Sequence, residues 1–194
     1  MNTSATVRDR FIEVNENVVH KHGKDIDHSH AGTAFTTWLD LKQAEQQAVA
    51  ICDSLVKLLP GSELAIKSNF AALRENLREL DTELREIAGK FGETPLVGSH
   101  PVYHYLARAY NLKIQSVHWE PDKMPDEDGW TELATIRKEH PAKIMLWEGE
   151  PDKAIARKLM EQGLSSVVFD PCGNKPDEGD WLSVIQSNVS RLGR

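Results

Sequence analysis

From Pro95 onward, four short apolar runs alternate with amphipathic helical segments, and this alternation restricts the fold more than any other feature of the chain. The runs are Pro95-Leu96-Val97-Gly98-Ser99, Ile114 to Trp119, Ile144 to Glu148 and Ser165 to Asp170. Between and after them lie a helix opening at Pro101 with the apolar face Val102, Leu106 and Tyr110, a helix over Trp130 to Glu139, another over Pro151 to Gln162, and a last one over Trp181 to Leu192. Strands that alternate with helices make a parallel sheet with right-handed crossovers and helices on both faces. The expected fold class is therefore α/β, built on a small parallel four-stranded sheet.

The upstream part has a different period. Ala44, Ala48, Ile51, Leu55 and Leu58 recur at helical spacing, with Asp40 as N-cap and Pro60-Gly61 as stop. Phe70, Leu73, Leu77, Leu80, Leu84 and Ile87 then mark a second helix from Ser62 to Ala88, ended by Gly89 and Gly92. At 1.5 Å per residue that helix is about 40 Å long, whereas a five- or six-residue strand spans roughly 17–20 Å. The helix must overhang the sheet, and another lobe, another subunit or residues 1–60 must cover its leucine stripe. The expected organisation is a His-rich, partly flexible segment over 1–39, a helical hairpin with a long spine helix over 40–92, and an α/β lobe over 93–194.

With 194 residues, 40% of them hydrophobic, the chain can bury a sizeable core. A formal charge of -7 argues against nucleic acid as a partner. No apolar run approaches the roughly 20 residues of a membrane span. The opening Met1-Asn2-Thr3-Ser4-Ala5-Thr6 lacks the apolar stretch of a secretory signal, so the chain as written is expected in the cytosol. Cys52 and Cys172 are too few for a disulfide framework or a cysteine zinc finger. Cys52 is expected in a helix core, and Cys172 beside the strand-end cluster described next. His20, His22, His28 and His30 crowd into a polar segment with Gly23, Lys24, Asp25 and Asp27, expected to be a mobile loop that gathers metal loosely.

In open α/β sheets, ligands bind outside the carboxyl ends of the strands. There the chain reads Ser99-His100-Pro101, His118-Trp119-Glu120-Pro121-Asp122, Glu148-Gly149-Glu150-Pro151 and Asp170-Pro171-Cys172-Gly173, so every strand delivers metal-capable side chains to one rim. His100 and Asp170 are the leading candidates for metal ligands, followed by Glu148, with His28 and His30 reaching over from the His-rich segment. The plainer readings give His100 a turn-shaping role, Asp170 a set of loop amides to accept and Glu148 a buried, satisfied carboxylate. Glu120 and Glu150 are expected in solvent, His118 in a strand as a core histidine, His104 facing away from the rim and His140 at a helix end.

At these residues the chain resembles the zinc- and manganese-binding solute-binding proteins of bacterial ABC importers. The likeness runs from roughly residue 10 to 192 and rests on the His-rich segment, Trp38-Leu39-Asp40 opening a helix, the long helix, Ser99-His100-Pro101-Val102-Tyr103 and Phe169-Asp170-Pro171. The resemblance implies two α/β lobes joined by one rigid helix, with metal held between them, His100 and Asp170 as ligands of the second lobe, a periplasmic location and an importer membrane subunit as partner. Two departures stand out. The family's histidine two residues before the tryptophan is Thr36 in Ala34-Phe35-Thr36-Thr37-Trp38, and the first lobe is missing from this chain.

The expected function is thus binding of a divalent transition metal without chemistry, zinc first with manganese and iron as alternatives. A homodimer through the long helix would be one way to complete the site. The alternatives are a scaffold module whose metal site has decayed and which self-associates or binds a protein, or a hydrolase using Cys172 or Asp170 with His100. The last lacks any Gly-x-Ser-x-Gly, Gly-x-Gly-x-x-Gly or phosphate-loop signature.

Overall fold

The computed structural model describes residues 2–21 and 27–194. After a short 3₁₀ segment, Thr3–Arg10, come strands β1 (Glu13–Lys21) and β2 (Asp27–Thr33), helices α1 (Leu41–Leu58) and α2 (Glu63–Phe91), and then β3 (Pro95–Gly98), α3 (His104–Tyr110), β4 (Lys113–Ser116), α4 (Glu127–Glu139), β5 (Ile144–Trp147), α5 (Lys153–Glu161), β6 (Ser165–Val168) and α6 (Trp181–Leu192). Strands β3 to β6 form one parallel sheet in the order β4-β3-β5-β6.

Side chains alternate across a strand, and the two faces of the sheet bury two separate cores. Leu96 and Leu146 face the side covered by α2, α3 and α6, where Leu80, Leu84, Leu106, Ile185 and Val189 are buried. Val97, Met145 and Trp147 face the other side and meet Leu133 of α4 and Ile155 and Leu159 of α5. Each helix earns its place through a hydrophobic stripe, and its ends are set locally. Asp40 caps α1 by accepting from the backbone N–H groups of Lys42 (3.1 Å) and Gln43 (3.3 Å), and Asp180 forms a reciprocal capping box with Ser183 at the start of α6.

The structure departs from the sequence reading in three places. The His-rich segment is not a loop over its described length: β1 and β2 pair antiparallel, with Val14 opposite Gly32 and His20 opposite His28. Valines at 14, 18 and 19 supply the β propensity there. Second, α2 runs through Gly89 to Phe91 and ends at Gly92, whose φ of 54° suits glycine. Phe91 packs against the core, and that contact outweighs the roughly 1 kcal/mol that a helical glycine costs. Third, α3 begins at His104 rather than Pro101, because the His100 carbonyl accepts from Val102 N–H at 2.9 Å and closes a tight turn first.

The overhang of α2 is real. Its carboxyl-terminal half buries Leu77, Leu80, Leu84 and Ile87, while Leu64 near its start is 87% exposed. Helix α1 packs along α2 and supplies part of the cover, with Cys52 buried in that contact as expected. Leu58 at the end of α1 stays 75% exposed. Among the described residues no helix is long and apolar enough to cross a membrane.

Candidate metal centre

The strand order reverses beside β3. The chain leaves β3 for α3 on one face and returns through α4 on the other to place β5 on the opposite side of β3. Connections that leave two adjacent parallel strands toward opposite faces open a crevice at their carboxyl ends. His100 follows β3 and Glu148 follows β5, so both flank that crevice. Backbone bonds knit the rim together: Ser99 N–H donates to the Leu146 carbonyl (2.8 Å), Phe169 N–H to the Trp147 carbonyl (2.8 Å), Val117 N–H to the Gly98 carbonyl (3.0 Å) and Trp119 N–H to the Ser99 carbonyl (2.8 Å). The last two bonds carry the segment after β4 alongside the segment after β3.

His100 is only 8% exposed. Its Nδ1 lies 2.8 Å from Oε1 of Glu148, and its Nε2 lies 3.6 Å from Oε1 of Glu120. The His118 ring stands edge-on to the His100 ring, with centroids 6.1 Å apart. Imidazole and carboxylate are nitrogen and oxygen donors of the kind zinc accepts. A carboxylate on one ring nitrogen fixes the tautomer and leaves the other nitrogen's lone pair for an ion. Glu148 stands on the Nδ1 side of the His100 ring.

Asp170 is held differently. Its Oδ1 accepts from Cys172 N–H at 2.6 Å, so one carboxylate oxygen is committed to the turn. The turn itself is tied from three directions. Asn188, fully buried on α6, pairs with both peptide groups of Asp170: its Oδ1 accepts from Asp170 N–H at 3.1 Å and its Nδ2 donates to the Asp170 carbonyl at 2.6 Å. Tyr103 Oη donates to the Phe169 carbonyl at 2.9 Å, and Trp38 Nε1 donates to the Pro171 carbonyl at 2.7 Å. Burial first, and then the negative charges of Glu148 and Asp170, push the Tyr103 phenol well above its ordinary range, so it stays a donor.

Thr36, the position where the resemblance expects a histidine, is 1% exposed and donates to the Val102 carbonyl at 2.6 Å. It locks the N-terminal segment against the turn after His100 instead of offering a donor to the crevice. Among the described residues no set of three His, Cys, Asp or Glu side chains is already gathered into a metal cage. The backbone of β2 carries His28 and His30, and their side chains lie outside the described part of the structure, as does His22. Cys172 sits in the left-handed region with φ 55°, and burial raises its thiol above the ordinary value, which does not favour a nucleophile.

Three residues at the rim were given other places by the sequence. His118 is not within a strand, because β4 ends at Ser116, and Glu120 is at His100 rather than simply in solvent. Asn188 reads only as one polar residue of an amphipathic helix; nothing in the sequence signals its pairing with Asp170. Glu150 is exposed as expected, and His140 bonds the Leu96 carbonyl at 2.8 Å at the other end of the sheet.

The profile of the family described as ZnuA, zinc-uptake complex component A, periplasmic, matches residues 1–194. The chain belongs to this family. Its members are solute-binding components and not enzymes. The chain is 25% identical over 182 residues to the zinc-binding protein AdcA of Streptococcus pyogenes serotype M6, a match covering 89% of this chain and 35% of AdcA. It is 28% identical over 162 residues to the high-affinity zinc uptake system protein ZnuA of Bacillus subtilis strain 168, covering 80% of this chain and 51% of that protein. The chain thus spans between a third and about half of the length of these curated relatives. Among solved structures, its fold is similar to Zn(II)-bound AdcA from Streptococcus pneumoniae, with a TM-score of 0.73 at 24% identity, over 92% of this chain and 39% of that one. It is also similar to the metal-dependent lipoprotein YcdH of Bacillus subtilis, with a TM-score of 0.73 at 24% identity, over 83% and 64%. The α/β fold with its parallel sheet and long helix is that of the metal receptors.

Proposed function

We propose that this chain binds zinc at the carboxyl rim of its sheet, as the receptor component of a zinc importer or as one part of such a receptor, and does so without catalysing a reaction. The observation that carries the reading is His100, a nearly buried imidazole at the switch point of the sheet with carboxylates near both ring nitrogens. His100 is the nitrogen ligand in this reading, and Asp170 gives the oxygen that its turn leaves uncommitted. Glu148, whose Oε1 lies 2.8 Å from Nδ1 of His100, is a further candidate oxygen donor. His28 and His30 are accessory donors; the base of the hairpin that carries them is tied to α3, where Tyr105 Oη donates to the Ala34 carbonyl at 3.2 Å. Manganese and iron are the alternative cargoes. The partner is an importer membrane subunit, and the place of action is the periplasm, in keeping with the family's description.

The test is a zinc titration followed by melting temperature. Zinc at a hundredfold excess over Kd should stabilise the chain by roughly 2.7 kcal/mol, and His100→Ala should abolish the rise. Equal melting points with and without zinc in both proteins contradict the reading.

One further observation favours a second contact surface. Ile51, Leu55, Leu58 and Leu64 near the far end of the α1–α2 pair are exposed, and apolar surface gathered in this way marks an interaction site. Self-association through these helices is the form we propose for it. Light scattering should then show a dimer whose population falls with Leu58→Lys; a monomer at all concentrations excludes it.

A further inference from the structure

We propose that Asn188 is a positioning residue for zinc binding: from helix α6 it fixes the direction of the Asp170 carboxylate and so sets how tightly the rim holds the ion. The inference rests on the reading above in which Asp170 is a ligand, and adds what aims that ligand.

Strand β6 is the last strand of the sheet, with β5 on one side and no strand on the other. Past its end Phe169 still leans on β5, since its N–H donates to the Trp147 carbonyl at 2.8 Å. Asp170 does not: among the described residues no backbone group bonds its N–H or its C=O. Asn188 takes the place of the missing neighbour, accepting from Asp170 N–H at 3.1 Å through Oδ1 and donating to the Asp170 carbonyl at 2.6 Å through Nδ2. A side-chain amide carries an acceptor and a donor side by side, so it matches a peptide edge as an adjacent strand would. Asn188 is fully buried, and water does not compete for either bond.

A residue has two soft backbone torsions, and bonds on both sides of its Cα restrain both. The Cα–Cβ bond of Asp170 is thus left with a single direction. The remaining side-chain freedom is taken up by Cys172 N–H, which donates to Oδ1 at 2.6 Å. The second carboxylate oxygen is thereby aimed before any ion arrives, and a donor ordered in advance loses less conformational freedom on binding. The flanking carbonyls are held as well, that of Phe169 by Tyr103 Oη at 2.9 Å and that of Pro171 by Trp38 Nε1 at 2.7 Å. Of these three side chains, only Asn188 bonds the N–H and C=O of Asp170 itself.

Zinc affinity of the full 194-residue chain is measured by chelator competition for the wild type, Asp170→Asn, Asn188→Leu, Asn188→Ser and Val189→Ala. Removing the outer partner of a ligand costs roughly 10–100-fold in metal affinity, and Asn188→Leu should fall in that range. Val189, the next residue of α6, is buried in the core. Val189→Ala should lower the apo melting temperature and leave affinity unchanged, which separates aiming from stability alone. In the Asp170→Asn background Asn188→Leu should cost little further, because it acts through that carboxylate. Asn188→Ser replaces the first variant if that one does not fold. Hydrogen exchange of the wild-type apo chain keeps the test open if neither folds: the Asp170 amide should be protected, and exchange as fast as in the exposed loops overturns the proposal. Wild-type affinity in a folded Asn188 variant, or an equal loss in Val189→Ala, overturns it while leaving zinc binding intact. If Asp170→Asn keeps wild-type affinity, or the wild type binds no zinc, the reading beneath the proposal falls with it.

Discussion

Two histidines sit at opposite ends of strand β3, and their surroundings differ in kind. His140, on the amino side, gives its Nε2–H to the Leu96 carbonyl at 2.8 Å. A backbone carbonyl asks for one proton and nothing more, so this imidazole closes a helix end and ties it to the amino end of β3. His100, on the carboxyl side, meets Glu148 at 2.8 Å and Glu120 at 3.6 Å. Two carboxylates bring more negative charge than one imidazole can neutralise, and that surplus is what a cation can use. The same side chain is thus a structural plug at one end of a strand and, in the function we propose, an ion donor at the other. The difference follows from topology, because the connections to either side of β3 diverge only at its carboxyl end.

The sharpest way to break the comparison is to remove each histidine in turn. His100→Ala should reduce zinc affinity by more than about 100-fold, beyond the range of outer partners. His140→Ala should leave affinity unchanged and lower apo stability by about 1 kcal/mol, the net worth of one hydrogen bond. Chelator competition and urea unfolding on both variants read the two quantities, and a loss of zinc affinity in His140→Ala would erase the distinction.

A smaller effect sharpens how the rim is held. Gly98, the last residue of β3, has no room for a side chain: an added Cβ would stand 2.8 Å from Ser116 Oγ and 2.9 Å from Tyr103 Cδ2. Gly98→Ala should therefore displace Tyr103, whose hydroxyl supports the Phe169 carbonyl beside Asp170, and cost about 1–3 kcal/mol as overpacking does. Denaturant unfolding measures the cost, and a variant as stable as the wild type would show that the contact is loose.

Much of this architecture was legible in the residues. Short apolar runs alternating with stretches of helical spacing marked strands and helices, Asp40 marked the start of α1, and Trp181–Leu192 was readable to its ends. His100, Glu148 and Asp170 were also legible as rim residues, because strand ends can be located from the apolar runs alone. What escaped was set by contacts distant in sequence. Glu120 and His118 depend on where β4 stops and on bonds to the segment after β3, and Asn188 meets Asp170 only when α6 docks on the sheet. The hairpin of β1 and β2 escaped for another reason. Glycine and aspartate are weak strand formers, and the pairing of two such polar stretches leaves little periodic signal.

The most direct test of zinc at the rim is to follow the imidazole nitrogens of the ¹⁵N-histidine-labelled chain by NMR while one equivalent of zinc is added. Nε2 of His100 should shift in step with zinc while the His140 signals stay in place. Zinc that binds with the His100 signals unmoved, and only the hairpin histidines responding, would contradict it.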